Sequence, residues 1–145
     1  MRQLAFDFEA VTVPQFPVRP GQLLRRQERG RRACLSGQAA EEAVIRVYAA
    51  RGAVLLERRW RGRAGEIDAI LRAPDTYVFC EVKKAATFNL ALQRLHHGQM
   101  QRIFTAASEY LGLTPEGQLA PVRFDLAVVN GAGAVRILEN AFGHF

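Results

Sequence analysis

Residues 76–83 constrain the fold of this chain most, because they read as a strand whose side chains divide between two faces with a period of two. Successive side chains of a β-strand point to opposite faces of the sheet. Val78 and Val82 would therefore lie on one face, and Glu81 and Lys83 on the other. The pattern predicts that a carboxylate and an ammonium group project together from one strand.

A second acidic position precedes Glu81 by thirteen residues, at Asp68 in the sequence Gly65-Glu66-Ile67-Asp68. Residues 66–72 have a strand pattern, and Pro74-Asp75 marks a tight turn before the next strand. Two strands joined by a tight turn pair as an antiparallel hairpin, about 4.8 Å apart. We therefore expect Asp68 and Glu81 to lie side by side.

The whole pattern predicts an α/β fold with the order αβββαββ, in which helices flank a mixed β-sheet. Ser36 is expected to cap a first helix over 37–51, and a second helix is expected over 98–111. Residues 85–97 are ambiguous. Strands are predicted at 53–60, 66–72, 76–83, 122–129 and 135–138.

The first 36 residues are predicted to be a basic, mobile leader, and residues 37–145 to be one domain. The leader carries +4 of the net charge of +6 and has no helical or strand period, although a short helix is expected near 22–28. Its Arg-rich stretch, 25–32, would add sequence-independent affinity for phosphates. Gln3-Leu4-Ala5-Phe6 loosely resembles peptides that dock on bacterial sliding clamps.

Composition points to an anionic partner, nucleic acid first, because the pI is about 10.1. No apolar run reaches the roughly 18 residues that a membrane span needs, and the N-terminus does not have the pattern of a secretory signal. Cys34 and Cys80 form neither a disulfide framework nor a metal-ligand spacing. A cytoplasmic location is expected, with Cys80 as a core residue.

Two carboxylates and a lysine on neighbouring strands suit hydrolysis of a phosphodiester. Mg²⁺ prefers oxygen ligands, and Asp68, Glu81 and the carbonyl of Val82 would supply them. A bound metal lowers the pKa of its water, and Lys83 would orient or deprotonate that water or stabilise developing charge. Lys83 and Lys84 are the only lysines among 20 basic residues. The alternative is a salt-bridge cluster on the surface of a hairpin.

A basic rim flanks these acids and is predicted to contact nucleic acid; its members are Arg58, Arg59, Arg61, Arg63 and Lys84. The alternative is a solvated strand and loop. Glu66 is expected to pair with Arg61 or Arg63, with a role as a second metal ligand as the alternative.

Other polar and aromatic residues are interpreted as structural or solvated. Trp60 is expected to pack in the core, with stacking on a base as the alternative. Asp125 is expected to be structural, and His96 and His97 to lie on the surface.

Eight segments carry a resemblance to a known family: Gly37…Glu41, Gly52, Arg58-Arg59-Trp60-Arg61, Gly65-Glu66-Ile67-Asp68, Val78-Phe79-Cys80-Glu81-Val82-Lys83, Tyr110-Leu111, Arg123-Phe124-Asp125 and Asn140-Ala141-Phe142. Together they closely resemble the YraN family of small bacterial proteins, which is predicted to have the restriction-endonuclease-like fold. The resemblance runs over residues 37–142.

The resemblance implies a PD-(D/E)xK nuclease core, similar to archaeal Holliday-junction resolvases and dependent on Mg²⁺ or Mn²⁺. It places Asp68, Glu81 and Lys83 at the positions for metal binding and catalysis. Glu41, on the first helix, matches an acidic residue that often completes the metal site. Gln99 falls where the family usually carries lysine on the second helix. Since related resolvases are dimers, a homodimer is expected.

Three functions remain open from the sequence. The first is a metal-dependent endonuclease acting on DNA, with a preference for branched or otherwise structured DNA. The second is a non-catalytic nucleic-acid-binding protein on the same fold. The third is a protein-interaction module that uses the leader.

Overall fold

A five-stranded mixed sheet with helices packed on both faces forms residues 20–142, the part of the chain that the computed structural model describes. The elements are α1 (Pro20–Ala50), β1 (Val54–Arg61), β2 (Glu66–Ala73), β3 (Thr76–Lys84), α2 (Phe88–Arg94), α3 (His97–Leu111), a 3-10 turn (Gly117–Leu119), β4 (Val122–Val129) and β5 (Val135–Leu138). The strand order is β1-β2-β3-β4-β5, and β3 and β4 are parallel whereas the other neighbours are antiparallel. The predicted α/β class is confirmed, and the arrangement is consistent with a restriction-endonuclease-like core.

The alternation in β3 places its side chains in two separate cores, as predicted. Val78 and Cys80 pack with Val44 of α1 on one face of the sheet. Phe79 packs on the other face with Ile103 of α3, and its ring stacks on a phenylalanine of β4. β3 is consequently buried along most of its length, including its polar residues.

Helix α1 begins at Pro20, so the prediction of a helix capped by Ser36 is wrong. Ser36 lies inside the helix, where its hydroxyl accepts a hydrogen bond from Lys84 Nζ. Proline is well tolerated as the first residue of a helix, because the N–H that it lacks would have no intrahelical partner there. The predicted boundary between leader and domain falls within this helix. Residues 1–19, including the sliding-clamp motif, lie outside the described residues, so the leader stays a prediction.

The ambiguous stretch 85–97 contains a short additional helix, α2. Thr87 caps it, because its hydroxyl accepts the backbone N–H of Leu90 at 3.2 Å. α3 then begins at His97, one residue earlier than predicted. The element order is therefore αβββααββ, with one helix more than the sequence pattern predicts.

β2 and β3 form the predicted antiparallel hairpin. Their backbone pairing runs from Ala73↔Thr76 at the turn to Ala69↔Cys80, where it stops. The polar residues predicted for the site lie just beyond this point. Among the described residues, no helix is long and apolar enough to cross a membrane.

Candidate active site

Asp68 and Glu81 lie at the position where the pairing between β2 and β3 ends. The register that pairs Ala69 with Cys80 places these two acids opposite each other. The backbone N–H of Val82 donates a hydrogen bond to Asp68 Oδ2 at 2.9 Å. A carboxylate thus takes the place of a strand carbonyl, and the predicted proximity of the two acids is confirmed. Both side chains are almost fully buried.

Lys83 and Gln99 complete the arrangement around Glu81. Lys83 Nζ lies 3.4 Å from Glu81 Oε2, and it donates a hydrogen bond of 3.3 Å to Gln99 Oε1. The amide nitrogen of Gln99 in turn donates to Glu81 Oε2. Gln99 reaches these groups from the first turn of α3, whereas the other two leave the same face of β3. All three side chains are buried.

Glu41 approaches the same region from α1, but its nearest partner is an arginine. Arg59 Nε donates a hydrogen bond of 2.8 Å to Glu41 Oε1. Arg59 has a φ of 48°, in the left-handed region, which costs a residue other than glycine about 1–2 kcal/mol. The pairs Arg58↔Ala69 and Trp60↔Ile67 flank it in the ladder, so its position faces Asp68 across β1 and β2.

Each of the three acids keeps one buried carboxylate oxygen without a hydrogen-bond partner among the described residues. These atoms are Glu41 Oε2, Asp68 Oδ1 and Glu81 Oε1. A buried acceptor with no partner costs about 1–3 kcal/mol, more if it is charged. A divalent cation is a partner that would satisfy such oxygens.

The carboxylates fit Mg²⁺ better than a metal that needs many protein ligands. Within the described part of the chain, no three His, Cys, Asp or Glu side chains form a ready-made metal-binding group. Mg²⁺ usually takes one or two carboxylates and completes its shell with waters and substrate phosphates. The Asp68–Glu81 pair matches that requirement.

Burial raises the pKa values of all three site acids when no cation is bound. Burial raises the pKa of Glu81 well above its ordinary value, and the nearby Asp68 carboxylate raises it further. Burial also raises the pKa of Asp68, against the opposing effects of the neighbouring Glu81 side chain, the Val82 N–H and the charge of Lys83. Burial and then Asp68 raise the pKa of Glu41. Carboxylates with raised pKa values and free acceptor oxygens gain most from a bound cation.

Some arginines of the basic rim form ion pairs, and Arg63 is exposed to solvent. Arg61 Nη2 lies 3.4 Å from Glu66 Oε2, which confirms the predicted pairing. Arg58 is exposed and lies 3.9 Å from Glu42, and Arg63 is exposed. Arg59 differs, because its side chain is only 26% exposed and is engaged with an acid of the site. Contact of the rim with nucleic acid stays a prediction.

Asp125 belongs to a separate buried network, as its interpretation as a structural residue predicts. Tyr48 donates to its Oδ2 at 2.7 Å, and Arg123 donates to both of its oxygens, at 2.8 and 3.0 Å. The backbone N–H of Asn140 also donates to it, at 2.9 Å. This network joins α1 to the end of the chain after β5.

The remaining side chains agree with their predicted roles. Trp60 packs against the core, with its ring edge-to-face with Tyr110 at 5.3 Å. His96 and His97 are exposed at the start of α3. The pairing of Arg59 with Glu41 was not predicted. It depends on a positive φ at Arg59, and no residue pattern indicates a positive φ at an arginine.

Comparison with known proteins identifies the family of this chain. The sequence model of the family described as "Uncharacterised protein family UPF0102" matches residues 40–129. A UPF0102 protein of Ruegeria pomeroyi is 53% identical over 116 residues, which cover 80% of this chain and 94% of that relative. A UPF0102 protein of Cereibacter sphaeroides is 50% identical, with 74% and 92% covered. The chain therefore belongs to the UPF0102 family, as its resemblance to the YraN proteins predicts.

Proposed function

We propose that this protein is a metal-dependent endonuclease that hydrolyses phosphodiester bonds of DNA. The observation that carries the proposal is the set of buried carboxylate oxygens on Glu41, Asp68 and Glu81 that have no hydrogen-bond partner within the described part of the chain. Beside them stands Lys83, the one buried lysine of the described residues. A salt-bridge cluster on a hairpin surface, the alternative from sequence, would leave these side chains in water.

Asp68 and Glu81 would hold the Mg²⁺ or Mn²⁺ ion, each through its oxygen without a partner. When bound, such a cation lowers the pKa of a coordinated water and offsets charge on the phosphorus. The carbonyl of Val82 is a further candidate ligand, since its N–H already fixes Asp68. Glu41 is the candidate for a third carboxylate ligand.

Lys83 would act on the reacting groups from the side of Glu81. Its ammonium group lies 3.4 Å from Glu81 Oε2, which places a positive charge next to the proposed ion. There it would orient the attacking water or stabilise the negative charge that develops on the phosphate. Gln99 is a neutral bridge that fixes both Lys83 and Glu81, and it therefore helps to hold Glu81 in place without adding a charge.

The exposed arginines Arg58, Arg61 and Arg63, together with Lys84, would bind the phosphate backbone. Such contacts give affinity without reading sequence. Nothing in the chain resembles a sequence-reading module, so the proposed substrate is DNA recognised by its structure, such as a branched junction. Symmetric cuts at a junction would require two copies of the chain.

The test is cleavage of a panel of branched, nicked and linear DNA with Mg²⁺ or Mn²⁺. The wild type should cleave at least one substrate, and Asp68→Ala and Glu81→Ala should each reduce the rate at least about 100-fold. Asp75→Ala is the matched control, because Asp75 is an exposed acid in the turn of the same hairpin. Cleavage that persists unchanged in Asp68→Ala would contradict the site.

The alternative, a non-catalytic nucleic-acid-binding protein, gives a different result in the same panel. It would bind DNA tightly and with strong salt dependence, but without turnover and without a need for a divalent metal. Buried acids around one lysine favour the enzyme, because a protein that only binds phosphate gains little from carboxylates at that position.

A further inference from the structure

Arg59 has a backbone conformation that directs its side chain to the site rather than to solvent. It lies in β1, where extended φ values are normal, and yet its φ is 48°. Within residues 20–142, Asn140 is the other non-glycine residue with a positive φ. Asparagine adopts this region more readily than arginine does. Such strain persists only where the surroundings impose it, and it is often found at functional sites.

In the ion pair between Arg59 and Glu41, only one guanidinium nitrogen, Nε, donates a hydrogen bond. Arg59 Nε donates to Glu41 Oε1 at 2.8 Å. Arg59 Nη2 and Glu41 Oε2 are both buried and have no hydrogen-bond partner among the described residues. A structural arginine–carboxylate pair usually closes into a fork with two parallel hydrogen bonds. Here the pair leaves one donor, Arg59 Nη2, and one acceptor, Glu41 Oε2, unsatisfied within the described residues.

The charges of the region explain why Glu41 needs a cation. Glu41 lies near enough to Asp68 for the two carboxylates to repel each other. Lys83 is the counter-charge of Glu81, and Arg59 is the counter-charge of Glu41. A divalent ion bound at Asp68 and Glu81 would compete with Arg59 for Glu41.

We propose that Arg59 is a positioning residue that withholds Glu41 from the metal until a substrate phosphate draws the guanidinium away. This inference rests on the proposed function of the site. Arginine binds phosphate in the same forked geometry as carboxylate, and Nη2 is the donor left free for it. Release of Glu41 then adds a third carboxylate to the ion, so DNA and metal strengthen each other's binding.

Binding of Mn²⁺ to the full-length chain without DNA tests this directly, with free Mn²⁺ measured by electron paramagnetic resonance. Arg59→Gln should bind Mn²⁺ roughly tenfold more tightly than the wild type, because Glu41 is released. Adding Glu41→Gln to Arg59→Gln should remove the gain, and Arg59→Lys should restore affinity toward that of the wild type. Arg72→Gln is the matched control, since Arg72 is another half-buried arginine paired with a glutamate, at 3.5 Å.

Three results would overturn the inference. They are equal affinity in wild type and Arg59→Gln, lower affinity in Arg59→Gln, and a gain that persists when Glu41 is also replaced. If Arg59→Gln fails to fold, Glu41→Gln alone decides the question. A withheld Glu41 predicts a change in Mn²⁺ affinity below about twofold, whereas any larger loss would mean that Glu41 is already a ligand.

The outcomes for this inference and for the proposed function are distinguishable. A wild type that binds Mn²⁺ and cleaves DNA, beside an Arg59→Gln variant of unchanged affinity, rejects only the role of Arg59. A wild type and an Arg59→Gln variant that both bind no Mn²⁺ reject the metal site and the role of Arg59 together.

Discussion

Asp68 Oδ2 accepts the backbone N–H of Val82 at 2.9 Å, so that a side chain of β2 satisfies the backbone of β3. Without that carboxylate, the N–H would lie buried beyond the end of the β2–β3 ladder, whose last pair, Ala69↔Cys80, lies two residues before Val82. The hydrogen bond fixes Asp68 Oδ2, whereas Oδ1 has no hydrogen-bond partner among the described residues. Structural and proposed catalytic roles are therefore divided between the two oxygens of one group.

Replacement of Asp68 should separate these two roles. Asp68→Asn keeps an acceptor for the Val82 N–H but removes the negative charge, whereas Asp68→Ala removes both. We expect Asp68→Ala to be less stable than Asp68→Asn by about 1–2 kcal/mol, and both variants to lose Mn²⁺ binding. Urea denaturation and Mn²⁺ titration measure the two effects. Equal stability of the two variants would contradict the role of the hydrogen bond.

The stability of the metal-free protein should fall as the pH rises. The folded-state pKa of Glu81 is raised above the unfolded value near 4.5, so the folded protein binds more protons than the unfolded chain between these two pKa values. The stabilisation is complete below about pH 4.5 and is lost as the pH rises through the folded-state pKa. A difference of one between the folded and unfolded pKa values corresponds to about 1.4 kcal/mol.

Glu81→Gln tests this dependence, because glutamine mimics the protonated acid. In EDTA the variant should have a flatter pH profile and exceed the wild type in free energy of unfolding at pH 8.5, by about 1 kcal/mol or more. Mg²⁺ should stabilise the wild type and leave the variant unchanged. Denaturation at pH 5.5, 7.0 and 8.5 measures the profile; a variant less stable than the wild type at pH 8.5 would reject the assignment.

Gln99 should be important for stability although it lies at the start of a helix. It connects Lys83 and Glu81, so Gln99→Leu removes a polar partner from each of these two buried side chains. We expect a loss of about 1–3 kcal/mol in the free energy of unfolding. Gln101→Leu is the control, because Gln101 is exposed on the same helix and should change stability by less than about 0.5 kcal/mol. Similar losses in both variants would contradict the bridge.

The network of Asp125 should affect stability but not metal binding. Tyr48→Phe removes one buried hydrogen bond, of 2.7 Å, and should cost about 1–2 kcal/mol. Its Mn²⁺ affinity should match that of the wild type, because none of the described hydrogen bonds of Asp125 involves Asp68. Thermal unfolding and Mn²⁺ titration check both parts; a variant that weakens Mn²⁺ binding tenfold would connect the network to the site.

The exposed arginines should contribute to the salt dependence of DNA binding. Arg63→Gln removes an exposed cation of the basic rim, and it should lower the slope of log affinity against log salt by about 0.9 for each phosphate that is no longer neutralised. Arg136→Gln is the control, since Arg136 lies on the edge strand β5 with its guanidinium 4.2 Å from the ring of Phe88. Fluorescence anisotropy over a salt series measures both slopes. Equal slopes in wild type and Arg63→Gln would remove Arg63 from the interface.

The strands and the site acids were predictable because they depend on short-range patterns. Strict alternation in β3 determines the faces of Glu81 and Lys83, and the turn at Pro74-Asp75 determines the hairpin that brings Asp68 to them. The bounds of each strand agree with the prediction to within one residue. When a buried strand is bounded by clear turns, its hydrophobic pattern and the turn together determine how it pairs with its neighbour.

The full length of α1 and the conformation of Arg59 were not predictable, for opposite reasons. The short helix expected near 22–28 does lie within α1, but no sequence pattern indicated that it continues into the helix expected over 37–51. Before Ser36 the helix has no apolar stripe, and glycine at position 30 weakens the helical preference, so periodicity gives no signal. Arg59 lies in a strand whose pattern is ordinary, and its positive φ depends on its surroundings in the folded chain. α2 was missed although Thr87 carries the signature of an N-cap, because the helix is only two turns long.

The basic stretch at 25–32 and Glu41 both lie on helix α1. At 1.5 Å per residue, exposed Arg29 lies about 18 Å along the axis from Glu41. No break separates them in the described helix. A change in the tilt of the arginine-rich end of α1 would therefore also move Glu41. Ser36, which accepts a hydrogen bond from Lys84, lies between these two parts of the helix.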